Sequence, residues 1–310
     1  MKELSAITSL IIPPKIIHWN CFIKHKSMIT KENCDLFKYN TMRLHSIADC
    51  VFFPESREEL DTLIDGFNKQ NKPYYIFSGG SNILFAERVT TPLINLMEIE
   101  KGIEYLENGL VKVGCSVRVQ SLIRDLQKHG LGGIEYLFSV PSSLGGAVYM
   151  NAGRGKSEGL AISDYLVEVE YYSPTEGKFM TYKKKAEDFS HRHSPFQDLD
   201  AIIVSATFKF KEQDKVVTEA LIKERMEHSK KYLSADKPSC GSVFCEGNRI
   251  VYRLLMGKRV GGAMYSKKTP DWISNMGNAT ASDVMALIEK GKRLHKLFFS
   301  HCKVEIRYIQ

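Results

Sequence analysis

The segment Ser139-Val-Pro-Ser-Ser-Leu-Gly-Gly-Ala-Val-Tyr-Met-Asn-Ala-Gly153 constrains the fold of this 310-residue chain more than any other stretch. It is rich in small residues yet apolar, with Pro141, the Gly145-Gly146 pair and Asn151-Ala152-Gly153 set among large hydrophobic neighbours. A flexible linker would be polar, and a core strand would not tolerate so many glycines. Small residues in an apolar setting let the backbone approach something flat or charged, and its N–H groups then do the binding. The segment reads as backbone packed against a large planar group.

A second glycine-rich loop lies upstream. Tyr74-Tyr-Ile-Phe77 is a short apolar run with the character of a buried strand, and Ser78-Gly-Gly-Ser-Asn82 follows it directly. Consecutive N–H groups at Gly79 and Gly80 make an anion nest, to which the Ser81 hydroxyl and Asn82 amide add donors, as a pyrophosphate would require. A tight strand-to-strand turn is the alternative, and the four residues alone do not choose between them. No Gly-Lys-Ser/Thr follows, which excludes a P-loop. The G-x-G-x-x-G spacing is absent and Ile83-Leu-Phe85 looks like further strand, which excludes a Rossmann fingerprint. A dinucleotide held by a non-Rossmann fold remains.

Composition bounds the rest. Apolar content of 43% and charged content of 25% are those of a globular enzyme, in a chain long enough for two or three lobes. No apolar run approaches the ~18 residues of a membrane span. Leu10-Ile-Ile12 is cut short by Pro13-Pro14, so no signal peptide is expected. The seven cysteines are scattered without zinc-site spacing, which fits free thiols in a reducing cytosol and no metal. The net charge of +7 favours an anionic ligand without naming it. Residues 1–34 carry little periodicity and read as an extension, partly disordered, with Met28 as an alternative start.

Along the chain, Val51–Phe53 reads as a strand. An amphipathic helix follows, with Ser56 as N-cap, Glu59 completing a capping box, and Leu60, Leu63, Ile64 and Phe67 on one face. Strands are expected at 110–113, 166–171 and 201–210, with a helix at 119–128 stopped by His129-Gly130 and a hairpin turn at Glu176-Gly177. Lys183-Lys184-Lys185 reads as a solvated face. A third lobe is expected from residue 212, with helices at 220–231 and 282–299 and one final strand, Lys303–Ile309.

Five further segments accompany the two loops: Phe37-Lys-Tyr-Asn-Thr-Met-Arg43, Gly133-Ile-Glu-Tyr-Leu137, Phe189-Ser-His-Arg-His-Ser-Pro-Phe196, Pro238-Ser-Cys-Gly-Ser-Val-Phe244 and Val304-Glu-Ile-Arg307. In this order, from about Phe37 to the C-terminus, the chain resembles the UDP-N-acetylenolpyruvoylglucosamine reductase (MurB) family, flavoenzymes of peptidoglycan precursor synthesis. The resemblance implies an α+β fold. A two-lobed FAD-binding domain of the vanillyl-alcohol-oxidase (PCMH) type would span residues 35–211, its lobes about 35–100 and 101–211. A smaller α+β substrate-binding domain would span 212–310. No insertion precedes Pro238 that could carry the tyrosine loop of one subgroup, so the chain resembles the shorter subgroup. FAD and NADPH are the implied cofactors and a UDP-sugar the implied small-molecule substrate. A cytoplasmic monomer without nucleic-acid or membrane partners is expected.

In the family reaction, hydride passes from NADPH through FAD to an enolpyruvyl ether, and negative charge develops as an enolate that must be stabilised and protonated. The resemblance puts Arg192 on the substrate carboxylate, Ser242 as the proton donor and Glu305 as the second acid. A lone Arg, a Ser after Gly and a strand-edge Glu would otherwise read as structural. An ionised Glu305 would repel the enolate, so it is expected protonated or paired with a cation, for which Arg307 is the nearest in sequence. Cys240 reads as a small buried side chain and His193 as a satisfied surface histidine. Gly79, Gly80, Ser81 and Asn82 are implied at the pyrophosphate. Pro141, Ser142, Ser143, Gly145, Gly146, Asn151, Ala152 and Gly153 are implied along the flavin. Arg225 and Lys267 are the candidates for the substrate diphosphate. Departures from the family pattern fall at Ser142, His191, Glu246 and Thr269. They keep open a flavin oxidoreductase with another substrate, or a flavin-binding protein without turnover. A basic nucleic-acid binder has only the charge in its favour.

Overall fold

Strand Ile47–Phe53 gives way to helix α1 (Arg57–Lys69) at Ser56, whose side chain accepts from Glu59 N–H at 3.2 Å. Glu59 reaches back one residue further than expected, accepting from Glu55 N–H at 2.8 Å. The four apolar positions of α1 are buried as the spacing requires. These elements belong to a computed structural model that describes residues 28–154, 159–234 and 236–310. Residues 1–27, and with them most of the expected extension, lie outside the described residues. Ile29–Asp35 do not fit that expectation: they form a strand paired antiparallel with Ile47–Phe53.

The first sheet runs Ile29–Asp35, Ile47–Phe53, Leu93–Asn95, Tyr75–Phe77, with the last three parallel to one another. The second is antiparallel, in the order Lys178–Lys183, Leu166–Ser173, Ile202–Lys209, Leu110–Gly114, Ile103–Tyr105. Gly177 turns its hairpin at φ +61°. Helices α2 (Val119–Lys128) and α3 (Leu144–Tyr149) share its core, and so does the apolar face of α1. A third, smaller sheet, Ser239–Ser242, Trp272–Asn275, Ala263–Tyr265, Arg259–Val260, packs with α5 (Arg249–Leu255) and α6 (Ala281–Leu297). Helix α4 (Lys215–Tyr232), expected in the third lobe, contacts α2 and Glu135–Leu137, with Ile222 in the core of the second sheet.

The C-terminus, expected as one strand, is two. Lys303–Val304 pairs antiparallel with Phe244–Glu246, whereas Arg307–Ile309 pairs in parallel with Ile83–Phe85. The partners belong to different lobes, so the chain changes sheets at Glu305-Ile306. Asn275 reinforces the junction, its amide donating to Met42 O at 2.9 Å and Arg43 O at 3.2 Å.

Glu170 ties α1 to the second sheet. It pairs with Arg57 (3.0 Å) and Lys112 (2.7 Å) and accepts from Ser205 Oγ at 2.6 Å. Burial opposes ionisation, but Lys112, Ser205 and Arg57 outweigh it and hold the carboxyl down at about 2. A depressed folded-state value stabilises the protein above the ordinary carboxylate range, and that contribution is lost as pH falls toward the folded value. Glu170→Gln should cost about 1–2 kcal/mol at neutral pH, after allowance for solvent screening. In urea unfolding, the gap between variant and wild type should close between pH 5 and the acid limit of about 2. A gap that stays constant with pH would assign the loss to packing instead.

Candidate active site

Ser78 Oγ and Ser143 Oγ are 2.8 Å apart, so the two glycine-rich loops are joined by a hydrogen bond between hydroxyls. Ser143 also caps α3, accepting from Gly146 N–H at 3.3 Å. The loops form one wall of a cleft of about 1480 Å³. That exceeds the roughly 300–1,000 Å³ of ordinary small-molecule pockets and has room for a dinucleotide together with a substrate. Of the candidate catalytic, cofactor and diphosphate residues, all but Gly79, Asn151 and Lys267 line it.

The loops divide the work differently from the expectation. Around α3 the N–H groups are used internally: Leu144 N–H bonds Val117 O, Gly145 N–H bonds Cys115 O, and Ala152 N–H bonds Ala147 O. The small residues there serve close packing. A Cβ on Gly145 would meet Cys115 Cβ at 3.0 Å, and one on Gly153 would meet Leu160 O at 2.1 Å. Ser142 exposes part of its side chain to the cleft, its hydroxyl turned to Ser143 O at 3.1 Å. In the first loop, by contrast, the N–H groups of Gly79, Gly80 and Ser81 have no hydrogen-bond partner among the described residues. Gly80 sits at φ +63° with its Cα against Tyr39 O, where any Cβ would collide. These successive free donors make the nest an anion needs. Gly79 backs the loop, facing Pro141 O and Ser143 N rather than the cleft. Asn82 lines the cleft, and its amide also donates to Glu305 O at 3.1 Å and so anchors the C-terminal segment.

Arg192 is the third residue of a tight turn closed by Ser190 N–H to His193 O (3.2 Å) and His193 N–H to Ser190 O (3.1 Å). Its φ of +60° is a left-handed conformation that costs a non-glycine residue of order 1–3 kcal/mol. The surroundings enforce it. Asn151, itself buried away from the cleft, donates to Ser190 O at 2.9 Å. Gln197 donates to Arg192 O and to Tyr149 O, both at 2.9 Å, and Ser194 Oγ donates to Tyr149 O at 2.7 Å. Phe196, buried against Tyr171 and Tyr182, anchors the far end. His191 is exposed, and His193 pairs with Asp198 at 2.9 Å as a surface histidine.

Ser242 reaches the cleft through a bulge in strand Ser239–Ser242, where Gly241 adopts φ +81°. Cys240 is buried, and desolvation pushes its thiol up to about 12, which leaves it a neutral side chain rather than a nucleophile. Glu305 stands at the change of sheets, with its N–H on Val243 O at 2.8 Å and its side chain 14% exposed. Burial raises its carboxyl above the ordinary value and Arg192, with Nε 3.5 Å from Oε1, opposes the rise. The cation beside Glu305 is therefore Arg192. Arg307 stands over the Tyr149 ring instead, 4.6 Å from its centroid.

The two diphosphate candidates separate. Arg225, on α4, lines the cleft, whereas Lys267 is exposed and its stem packs beside Gly257. Ser266 is buried and its hydroxyl holds Lys268 and Thr269 N–H, both at 2.9 Å, which turns Lys267 outward. Lys237 lies in the cleft where Lys267 does not. Its place just before the Pro238 motif was the signal available in the sequence. Thr269 ties the loop to the end of α4, accepting from Ser234 N–H at 2.8 Å and donating to Tyr232 O at 3.0 Å.

Known proteins similar to this chain identify its family. A family model described as an FAD binding domain matches residues 48–182, and one described as the C-terminal domain of UDP-N-acetylenolpyruvoylglucosamine reductase matches 233–308. The reductase of Lactobacillus gasseri is 30% identical over 299 residues, covering 93% of this chain and 96% of that protein. That of Fusobacterium nucleatum is 32% identical over 268 residues, covering 84% and 92%. The crystal structure of the Thermus caldophilus enzyme superposes with a TM-score of 0.72 at 25% identity, covering 92% of this chain and 99% of that one. With relatives this similar along nearly their whole length, the chain belongs to the UDP-N-acetylenolpyruvoylglucosamine reductase family.

Proposed function

We propose that this protein reduces UDP-N-acetylglucosamine enolpyruvate to UDP-N-acetylmuramate, with FAD and NADPH, in peptidoglycan precursor synthesis. The observation that carries the reading is the convergence of Arg192, Ser242 and Glu305. They come from three distant segments and line one cleft beside the glycine-rich loops. A flavin protein with no enolate to handle has no need of that trio.

The free N–H groups of Gly79–Ser81 suit the FAD pyrophosphate, and Pro141–Gly146 with Ala152 suit the flavin side of the cleft. FAD held there would supply the hydride chemistry that links NADPH to the enolpyruvyl β-carbon. Arg192 grips the substrate carboxylate, and its hold tightens as negative charge spreads into that group. Ser242 Oγ holds the proton that goes to the α-carbon. Glu305, shifted toward its protonated form by burial, donates a hydrogen bond to the developing charge rather than repelling it. Arg225 and Lys237 meet the substrate diphosphate. The lobe that starts after α4 thus carries most of the substrate contacts. All three reacting side chains belong to one chain, so a monomer is sufficient. Among the described residues no helix is long and apolar enough to cross a membrane, and the six described cysteines are free thiols, as a reducing cytoplasm would keep them.

Two outcomes are expected. In an anaerobic visible spectrum, NADPH should bleach the flavin band of wild type and Ser242→Ala alike. Addition of the enolpyruvyl substrate should restore it about 10²–10⁴-fold more slowly in the variant. Impaired bleaching would remove Ser242 from proton delivery, and a wild-type band that never returns would point to another substrate. In steady-state assays, Lys237→Ala should raise KM for the UDP-sugar about tenfold with kcat little changed, as loss of a charge-assisted phosphate contact does. Lys267→Ala should leave KM unaltered. The reverse pattern would restore Lys267 to the binding site.

A further inference from the structure

Asp271 has no part in the chemistry above, yet it is bonded directly to the strand that performs it. It is 6% exposed and lies in the loop between Pro270 and strand Trp272–Asn275. Its φ is +66°, a left-handed conformation that Asp and Asn tolerate best among residues with a side chain. That backbone lets one residue meet two successive N–H groups. Asp271 O accepts from Val243 N–H at 2.9 Å, while Oδ1 and Oδ2 share Phe244 N–H at 3.3 and 3.1 Å. Ser242 immediately precedes this pair, and Val243 O in turn accepts Glu305 N–H at 2.8 Å. Asp271 thus holds the peptide on which both Ser242 and Glu305 depend.

We propose that Asp271 is a positioning residue for proton delivery. It fixes Ser242 and Glu305 through the Val243–Phe244 backbone, and its carboxyl and that of Glu305 act on one another as a pair. The inference rests on the assignment of Ser242 and Glu305 above. The groups facing Asp271 are Glu305, Cys240 on the neighbouring strand, Tyr252 on α5 and Tyr265 on the third sheet. Each is neutral or anionic. No cation lies within ion-pair distance of Asp271 among the described residues. Glu305 faces Arg192, Asp271, Cys240 and Cys245. Asp271 and Glu305 are thus two largely buried carboxyls held by one peptide, and like charges at close quarters cannot both ionise readily. Burial pushes Asp271 up to about 8, the bonds from Phe244 and Val243 N–H oppose the rise and Glu305 adds to it. The pair retains a proton into the neutral range, and proton delivery in the second half-reaction draws on that retention.

The test is the pH dependence of flavin reoxidation in FAD-loaded full-length protein. Wild type should show an alkaline limb, set by the pair. Glu305→Gln should abolish that limb; if it persists unchanged, the assignment of Glu305 itself fails. Asp271→Asn keeps the left-handed backbone and one acceptor oxygen while removing the charge. It should move the limb to lower pH by on the order of one unit, with flavin reduction by NADPH unchanged. A limb that disappears in Glu305→Gln but stays put in Asp271→Asn overturns the inference and leaves the proposed function standing. A second measurement needs no Asp271 variant: carboxyl carbon NMR titration of wild type and Glu305→Gln. Coupling requires Asp271 to ionise at lower pH once Glu305 is neutral, and an unchanged titration overturns the inference as surely.

Discussion

The change of sheets at Glu305 is the constraint on which the site depends. Its peptide is gripped from both sides, by Val243 O of the third sheet and by the Asn82 amide of the first glycine-rich loop. Arg307 N–H returns a bond to Asn82 O at 3.1 Å, and the strand continues beside Ile83–Phe85. The C-terminal lobe is thereby tied to the loop proposed to hold the cofactor pyrophosphate. A shift of either lobe would move Glu305 relative to the nest, and reacting groups lose rate steeply with misplacement of about an ångström. The bonds from Asn275 to Met42 and Arg43 guard the same junction from its other side.

A comparable economy joins the α3 side of the cleft to Arg192. Tyr149 O, at the end of α3, receives both Ser194 Oγ and Gln197 Nε2. Asn151, two residues further on, holds Ser190. The segment richest in small residues therefore does two jobs. Its glycines allow α3 to lie against Cys115 and Ser78, and its last residues set the turn that presents Arg192. Ser194 and Phe196 are part of that turn's support, since both are buried.

What the sequence made legible was local. The cap at Ser56, the apolar face of α1, the end of α2 at His129-Gly130 and the hairpin at Gly177 depend on neighbours a few residues away, and each is present. Helix α3 was hidden because a Gly-Gly pair disfavours helix by roughly 1 kcal/mol per residue, a deficit that packing against the second sheet offsets. The split of the last strand was hidden because its two partners lie far apart in sequence. The same holds for Asn82, whose amide serves a carbonyl 223 residues away. Arg192, Ser242 and Glu305 could be marked by motif, but that Arg192 rather than Arg307 is the cation beside Glu305 is a matter of tertiary geometry. Asp271 carried no local signal at all.

Two non-glycine residues at the edges of this site, Arg192 and Asp271, adopt φ of +60° and +66°. Hydrogen bonds to neighbouring elements sustain the strain at both positions, and the Arg192 turn sets the guanidinium at a short distance from the Glu305 carboxyl. That distance, 3.5 Å from Nε to Oε1, is too long for a strong charge-assisted bond, which would close to about 2.7–2.9 Å. A closer pair would bind the guanidinium to Glu305, hold that carboxyl ionised and leave little of the fork for a substrate. At 3.5 Å the attraction lowers Glu305 without overcoming its burial, and the remaining donors of the guanidinium can meet an incoming carboxylate. The turn holds Arg192 near enough to steady Glu305 and far enough to leave donors for the substrate carboxylate proposed to bind there.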